Sequence, residues 1–262
     1  MPTRLFIYLP LCGQLMCWMA CSATMPAGDE PATTEQVVLP DTTDSLDDVA
    51  ELQVVVAGFE DGQPLPDSYA FCVPAEQGHV KLGPNTNPAI SWSQGPAATA
   101  SYLLLLTDPD VPGLGNNANK EGLSLPVDLP RVRFYHWVLA DIPTHLTAIG
   151  EGASSSEVTA RGKPLGPTAF GLRGYNDYTI WFGGDEQMEG DYGGYDGPCP
   201  PWNDERVHRY IFSVFALDVP KLPLAIRFGG AQALAAAKGH VLAKGSYSGT
   251  FSLNPSLRPE PQ

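Results

Sequence analysis

Positive charge is scarce in this chain: 15 Lys and Arg stand against 29 Asp and Glu, a net charge of −14 at pH 7 over 262 residues. Nucleic-acid binding draws on clustered Lys and Arg; no such cluster occurs, so no nucleic-acid partner is expected. The shortage is greatest between Arg4 and Lys81, a stretch with no base and twelve acids, while the chain from Lys81 onward holds 17 acids and 14 bases. Catalytic signatures are missing as well. There is no GxSxG nucleophile elbow and no HExxH metal pair. Cys72 and Cys199 lie in no CxxC or comparable metal pattern. No apolar run is long and unbroken enough for a comfortable membrane-spanning helix.

Glycine and proline, by contrast, abound, with 27 and 26 residues. Both break helix interiors, so the composition disfavours a helix bundle and favours short strands joined by many turns. At 43% hydrophobic and 17% charged residues, the chain can build a packed core.

The N-terminal region divides in two. Residues 5–20 form an apolar run behind Arg4, interrupted by Pro10, Gly13 and Gln14; this suits an export signal over residues 1–21. Trp18-Met19-Ala20-Cys21 is similar to a bacterial lipobox, in which Cys21 would be lipidated, although Trp18 stands where leucine is usual; cleavage after Ala23 or Ala27 is the alternative. Residues 22–50, rich in Thr, Pro and acids, carry too little apolar surface to offset ordering entropy and are expected to be a disordered acidic tether. Export to the periplasm or cell envelope follows, with membrane attachment only through the lipid. Cys12, Cys17 and Cys21 belong to this region. In an oxidising compartment Cys72 and Cys199 could bridge, but sequence cannot place them within reach of each other, and two separate thiols are the simpler expectation.

From residue 51 onward the pattern is that of one all-β domain. Strands are expected at 52–57, 68–73, 102–107, 133–140, 178–182, 209–217 and 246–253, with one helix over 230–243. Leu103 to Leu106 fit a strand buried on both faces. Four motifs carry polar chemistry among these elements. Asp108-Pro109-Asp110-Val111-Pro112 holds two carboxylates at the expected end of a strand, with its backbone stiffened by proline. In Phe134-Tyr135-His136-Trp137, strand alternation sets Phe134 and His136 on one face and Tyr135 and Trp137 on the other. Gly197-Pro198-Cys199-Pro200-Pro201 makes a stiff loop without the features of a phosphate cradle. His208 and Tyr210 share a face of the strand that follows, with Arg209 opposite. His79, His145 and His240 have no comparable context.

In this order the four motifs, with the closing stretch His240-Val241-Leu242-Ala243-Lys244-Gly245-Ser246-Tyr247-Ser248-Gly249, resemble the phosphatidylethanolamine-binding protein family, in its bacterial Raf-kinase-inhibitor-like branch. The likeness runs from about Gln53 to Asn254. It implies an antiparallel β-sandwich with Greek-key connections, a few peripheral helices and a small anion pocket at one end. Carried over residue by residue, that pocket comprises Asp108, Asp110, Pro112, His136, Gly197, Pro198, His208 and Tyr210. Phosphate-like groups or phospholipid head groups are the implied ligands. Imidazoles, a phenol and loop amides would donate to the oxyanion, and the carboxylates would keep the imidazoles protonated. The segment 113–133 would form a flap beside the pocket, and Phe134 replaces a tryptophan found in some members. Kinase inhibition belongs to particular relatives, and nothing in these residues encodes it.

The reading is therefore a non-catalytic binding protein with no cofactor, no resident metal and no catalytic residue. One alternative is a hydrolase using Asp108, Asp110, His136 and His208, metal-assisted through zinc or iron. The other is a regulator that meets an unidentified protein partner through the pocket rim and flap.

Overall fold

In the computed structural model, the residues described are 49–113 and 117–258. The expected signal, the lipidation site Cys21, nearly all of the acidic tether and Asn116 of the flap lie outside them. The described residues belong to one compact unit. In chain order its strands are β1 (Ala50–Glu51), β2 (Val54–Val56), β3 (Cys72–Pro74), β4 (Val80–Leu82), β5 (Ile90–Trp92), β6 (Ser101–Pro112), β7 (Arg131–Pro143), β8 (Ala148–Ile149), β9 (Gly166–Thr168), β10 (Gly171–Arg173), β11 (His208–Leu217) and β12 (Val241–Phe251). The helices are α1 (Tyr178–Trp181) and α2 (Gly230–Ala237).

The main sheet runs β1-β12-β11-β6-β7-β10-β9, and a second sheet runs β2-β5-β8. All pairings are antiparallel except β1 with β12. Ala50, the last residue assigned to the tether, already pairs there with Ala243 and so belongs to the sheet. The centre of the main sheet is β6, and its leucine run is buried on both faces as expected. Tyr102, Leu104 and Leu106 enter one core layer with Trp137, Phe212 and the second sheet's Val54, Val56, Ile90 and Trp92. Leu103 and Leu105 enter the other with Val138, Phe215 and the small α2 residues Ala233 and Ala237. Each fully buried leucine contributes roughly 1.5–3 kcal/mol, which makes β6 the strand around which both layers assemble. The result is a mainly-β sandwich with a helix packed outside it.

Several elements depart from expectation. The stretch 178–182 was expected as a strand because of its aromatic and β-branched residues, yet Tyr178–Trp181 is a helical turn. Asp177 explains this. Its N–H donates to Tyr135 O at 2.9 Å and its Oδ2 accepts Tyr135 N–H at 2.8 Å. One residue, through its backbone N–H and its side chain, thus satisfies β7 where another strand would have paired, and Asn176 Oδ1 receives the Tyr178 N–H at 3.1 Å. The stretch 68–73 starts as a 3-10 turn, Asp67–Tyr69, before β3. Helix α2 is shorter than the expected 230–243, since Gly239 turns the chain at φ +86° and β12 begins at Val241. The Asp108–Pro112 motif continues the strand as the last five residues of β6 instead of following a strand that stops at Thr107.

Cys72 and Cys199 are joined, with Cα atoms 4.8 Å apart; this corrects the expectation of two thiols. Hydrogen bonding of Cys72 N–H to Pro198 O at 3.1 Å lays β3 against the stiff loop and brings the pair together. Replacing both cysteines by alanine should lower stability by about 2–5 kcal/mol, read as a reduced midpoint in urea. An unchanged midpoint would mean the bridge contributes nothing to the loop's placement.

Candidate functional site

The polar motifs meet at one end of the sandwich because β-bulges redirect them. Leu106 pairs with Trp137 and Thr107 with Tyr135, so His136 is an extra residue on β7. Trp137 thereby joins the layer facing the second sheet while Tyr135 joins the α2 layer. Simple alternation had placed these two together, and the bulge separates them. A second shift spaces Asp108 to Val111 against Phe134 to Val132, leaving an extra residue within Asp108–Val111 on β6. Bulges of this kind re-aim side chains, here Asp108 and His136, toward a cleft of about 50 Å³. That volume suits a few waters or one small polyatomic group.

Asp108 and Pro112 reach the cleft from β6, Phe134 and His136 from β7, His208 and Tyr210 from β11. Tyr178 and Trp181 of α1 form an aromatic wall, Cys199, Pro200 and Pro201 another, and Ala118 and Asn119 place the flap at its edge. Three expected residues stand elsewhere. Asp110 turns away to Arg206 Nη1 at 2.9 Å and Arg209 Nε at 2.8 Å. Gly197 and Pro198 lie behind the wall that Cys199 to Pro201 make. A Cβ on Gly197 would sit 1.9 Å from Tyr69 O, so the glycine serves close packing there. Its N–H donates to Asn85 Oδ1 at 2.8 Å and is not free for a ligand. Sequence reasoning missed Tyr178, Trp181 and Asn119, two because they were assigned to a strand and the third because loop placement leaves no periodic signal.

The two histidines have opposite environments. His208 is fully buried, with Nδ1 2.7 Å from Asp108 Oδ2 and Nε2 3.1 Å from Asp204 Oδ2. Burial opposes its charge, but the two carboxylates prevail and raise it to about 9, so it is an imidazolium at neutral pH. Arg131 continues the string with Nη1 at 2.6 Å and Nη2 at 3.1 Å from Asp204. His136 Nδ1 lies 2.8 Å from Asp196 O. A carbonyl only accepts, so Nδ1 carries the hydrogen and Nε2 a lone pair. Burial holds this ring down at about 4 despite the pull of Asp108, and it is neutral. The carboxylates therefore protonate one imidazole, and the expectation for the other is corrected by desolvation.

Beneath His136, the fully buried Asp196 accepts from Lys163 Nζ at 2.6 Å, Asn85 Nδ2 at 2.7 Å and Asn176 Nδ2 at 2.8 Å. Those bonds hold the loop whose carbonyl sets the His136 tautomer. At the cleft, His136 Nε2 and Tyr210 Oη are buried and have no hydrogen-bond partner among the described residues. Among the same residues, no group of three His, Cys, Asp or Glu is arranged to hold a metal ion, and both His208 nitrogens are already committed to carboxylates.

A mainly-β sandwich with one small, polar-floored, aromatic-walled cleft at its end is the class of protein these features define. Residues 56–252 match the model of the phosphatidylethanolamine-binding protein family, and the chain belongs to that family. It is 28% identical over 204 residues to the UPF0098 protein YbhB of Escherichia coli, covering 77% of this chain and 100% of YbhB. A phosphatidylethanolamine-binding protein homolog from Chlamydia trachomatis superposes with a TM-score of 0.51 at 25% identity, over 77% of this chain and 97% of its own. Escherichia coli YbcL shares the fold with a TM-score of 0.54 at 24% identity, over 78% and 99%. Family membership supports a protein of binding type.

The histidine pair has a pH signature. His208 is raised from 6.5 to about 9, so its stabilisation is complete below pH 6.5 and is lost as pH rises toward 9. His136 is depressed to about 4, so the unfolded chain takes up its proton first and stability falls as pH drops from 6.5 toward 4. Asp177, raised by burial to about 6, acts with the opposite sign in that acid range. The gap in urea midpoint between wild type and His136→Asn should therefore narrow between pH 6.5 and 4.5. A gap independent of pH would contradict a neutral buried His136.

Proposed function

We propose that this protein is a non-catalytic binding protein whose cleft takes a small oxyanion, with phosphate-like groups and phospholipid head groups as the ligand class. One observation carries the reading: His136 and Tyr210 line the cleft, and their buried Nε2 and Oη atoms have no hydrogen-bond partner among the described residues. Buried polar groups left unpaired in a folded protein point to a missing partner. The fully buried His208 cation at the floor favours a ligand with negative charge, and Tyr210 offers it a donor. Asp108 acts by keeping His208 charged, and Pro112 and Phe134 by shaping the wall. Asp110, Gly197 and Pro198 support the site from outside the cleft.

The same reading places the body outside the cytoplasm, exported by residues 1–21 and anchored through Cys21 where that residue is lipidated. The Cys72–Cys199 bridge supports an oxidising compartment.

Tyr210→Phe separates binding from folding. Removing an unpaired buried hydroxyl should leave stability unchanged or raise it by about 1 kcal/mol. Losing a hydrogen bond to a charged ligand should weaken phosphate and phosphoethanolamine binding by roughly 10- to 100-fold, the equivalent of about 1.5–3 kcal/mol. Calorimetric titration of wild type and variant measures both ligands. Equal affinities would remove Tyr210 from the site.

A further inference from the structure

The cleft presents a lone pair where an anion site is expected to present a hydrogen. His208 has no N–H left to donate, since Nδ1 is taken by Asp108 and Nε2 by Asp204. The Gly197 amide is taken by Asn85. His136 donates through Nδ1 to Asp196 O, which leaves Nε2 bare, buried and unpartnered among the described residues. Charged and titratable groups face this ring from every element packed against it: Asp108 from β6, His208 and Tyr210 from β11, Tyr178 from α1. The loop contributes the Asp196 carbonyl, and the flap's cleft residues, Ala118 and Asn119, are uncharged. A fully deprotonated oxyanion would set an oxygen lone pair against Nε2. An oxyanion that keeps one O–H donates it to Nε2 and turns a charged oxygen toward the Tyr210 hydroxyl.

We propose that the cleft selects oxyanions that keep an acidic O–H, such as the monoanion of a phosphomonoester, over phosphodiesters, which have none. The inference rests on the anion-pocket reading above. It separates two sources of the same chemistry, because free phosphoethanolamine is a monoester whereas the head group of an intact diacyl phospholipid is a diester. A phosphomonoester loses its second proton near pH 6, so keeping it at pH 7 weakens binding only about tenfold. A diester would need the proton on His136 instead, held by burial at about 4, a cost of about a thousandfold at the same pH.

The test is calorimetry on the full chain with methyl phosphate and dimethyl phosphate, small esters of similar size, in two buffers of different ionisation enthalpy. Methyl phosphate should bind roughly fifty-fold more weakly at pH 8 than at pH 6 and take up close to one proton at pH 8. At pH 7 dimethyl phosphate should bind roughly a hundredfold more weakly than methyl phosphate. His136→Asn, whose amide still reaches toward Asp196 O, should flatten the pH slope and shrink the ratio between the esters. Equal affinities for the two esters, or monoester binding without proton uptake, would overturn the selection while leaving an anion pocket in place. If inorganic phosphate and both esters fail to bind at pH 6, the anion-pocket reading falls, and the selection falls with it.

Discussion

The His208 imidazolium, held between Asp108 and Asp204, is the interaction on which the site depends. It ties β6, β11 and the segment after the stiff loop to one another, and Arg131 extends the tie to β7. Charge is balanced along this string of two cations and two carboxylates, with all four side chains nearly inaccessible. Removing one member leaves a buried charge uncompensated, which is far costlier than the net value of the pair. A rigid string of this kind fixes the floor of the cleft without leaving a hydrogen on His208 for a ligand. His208 contributes field, and the directional contacts are left to Tyr210 and His136.

Desolvation divides the two histidines. Both are buried within reach of Asp108, but His208 has carboxylate oxygens at both nitrogens while His136 has a neutral carbonyl at one and no hydrogen-bond partner among the described residues at the other. Direct hydrogen bonds to charge outweigh burial in the first case and are missing in the second. The outcome is one fixed cation and one neutral acceptor side by side. The acceptor owes its orientation to a second buried network, in which Lys163, Asn85 and Asn176 converge on Asp196.

Much of the fold was legible in the chain. The leucine run of β6, the alternation of β11 and the Gly/Pro-rich turns each follow from local periodicity, and the order of four motifs was enough to indicate the family. The site was legible only in part. Asp108, Pro112, His136, His208 and Tyr210 could be named because their motifs resemble those of the family. Tyr178 and Trp181 could not, because their β-forming composition was overridden by Asp177 bonding to both backbone groups of Tyr135, forty-two residues away for its side chain. Gly197 and Pro198 were placed one layer too far forward, since a loop's facing is set by what it packs on, in this case Tyr69 O.

By itself the sequence determined what depends on neighbours along the chain: the strand-rich class, the doubly buried central strand, the residue types available for a polar site and the acidic, base-free N-terminal stretch. Tertiary structure decided what depends on distant neighbours. The bulge that sends Tyr135 and Trp137 to opposite layers, the joining of Cys72 to Cys199 and the charge state of each histidine all arise from contacts between segments far apart in the chain. Periodicity carries no record of such contacts, because burial and hydrogen-bond partners exist only once the chain has packed.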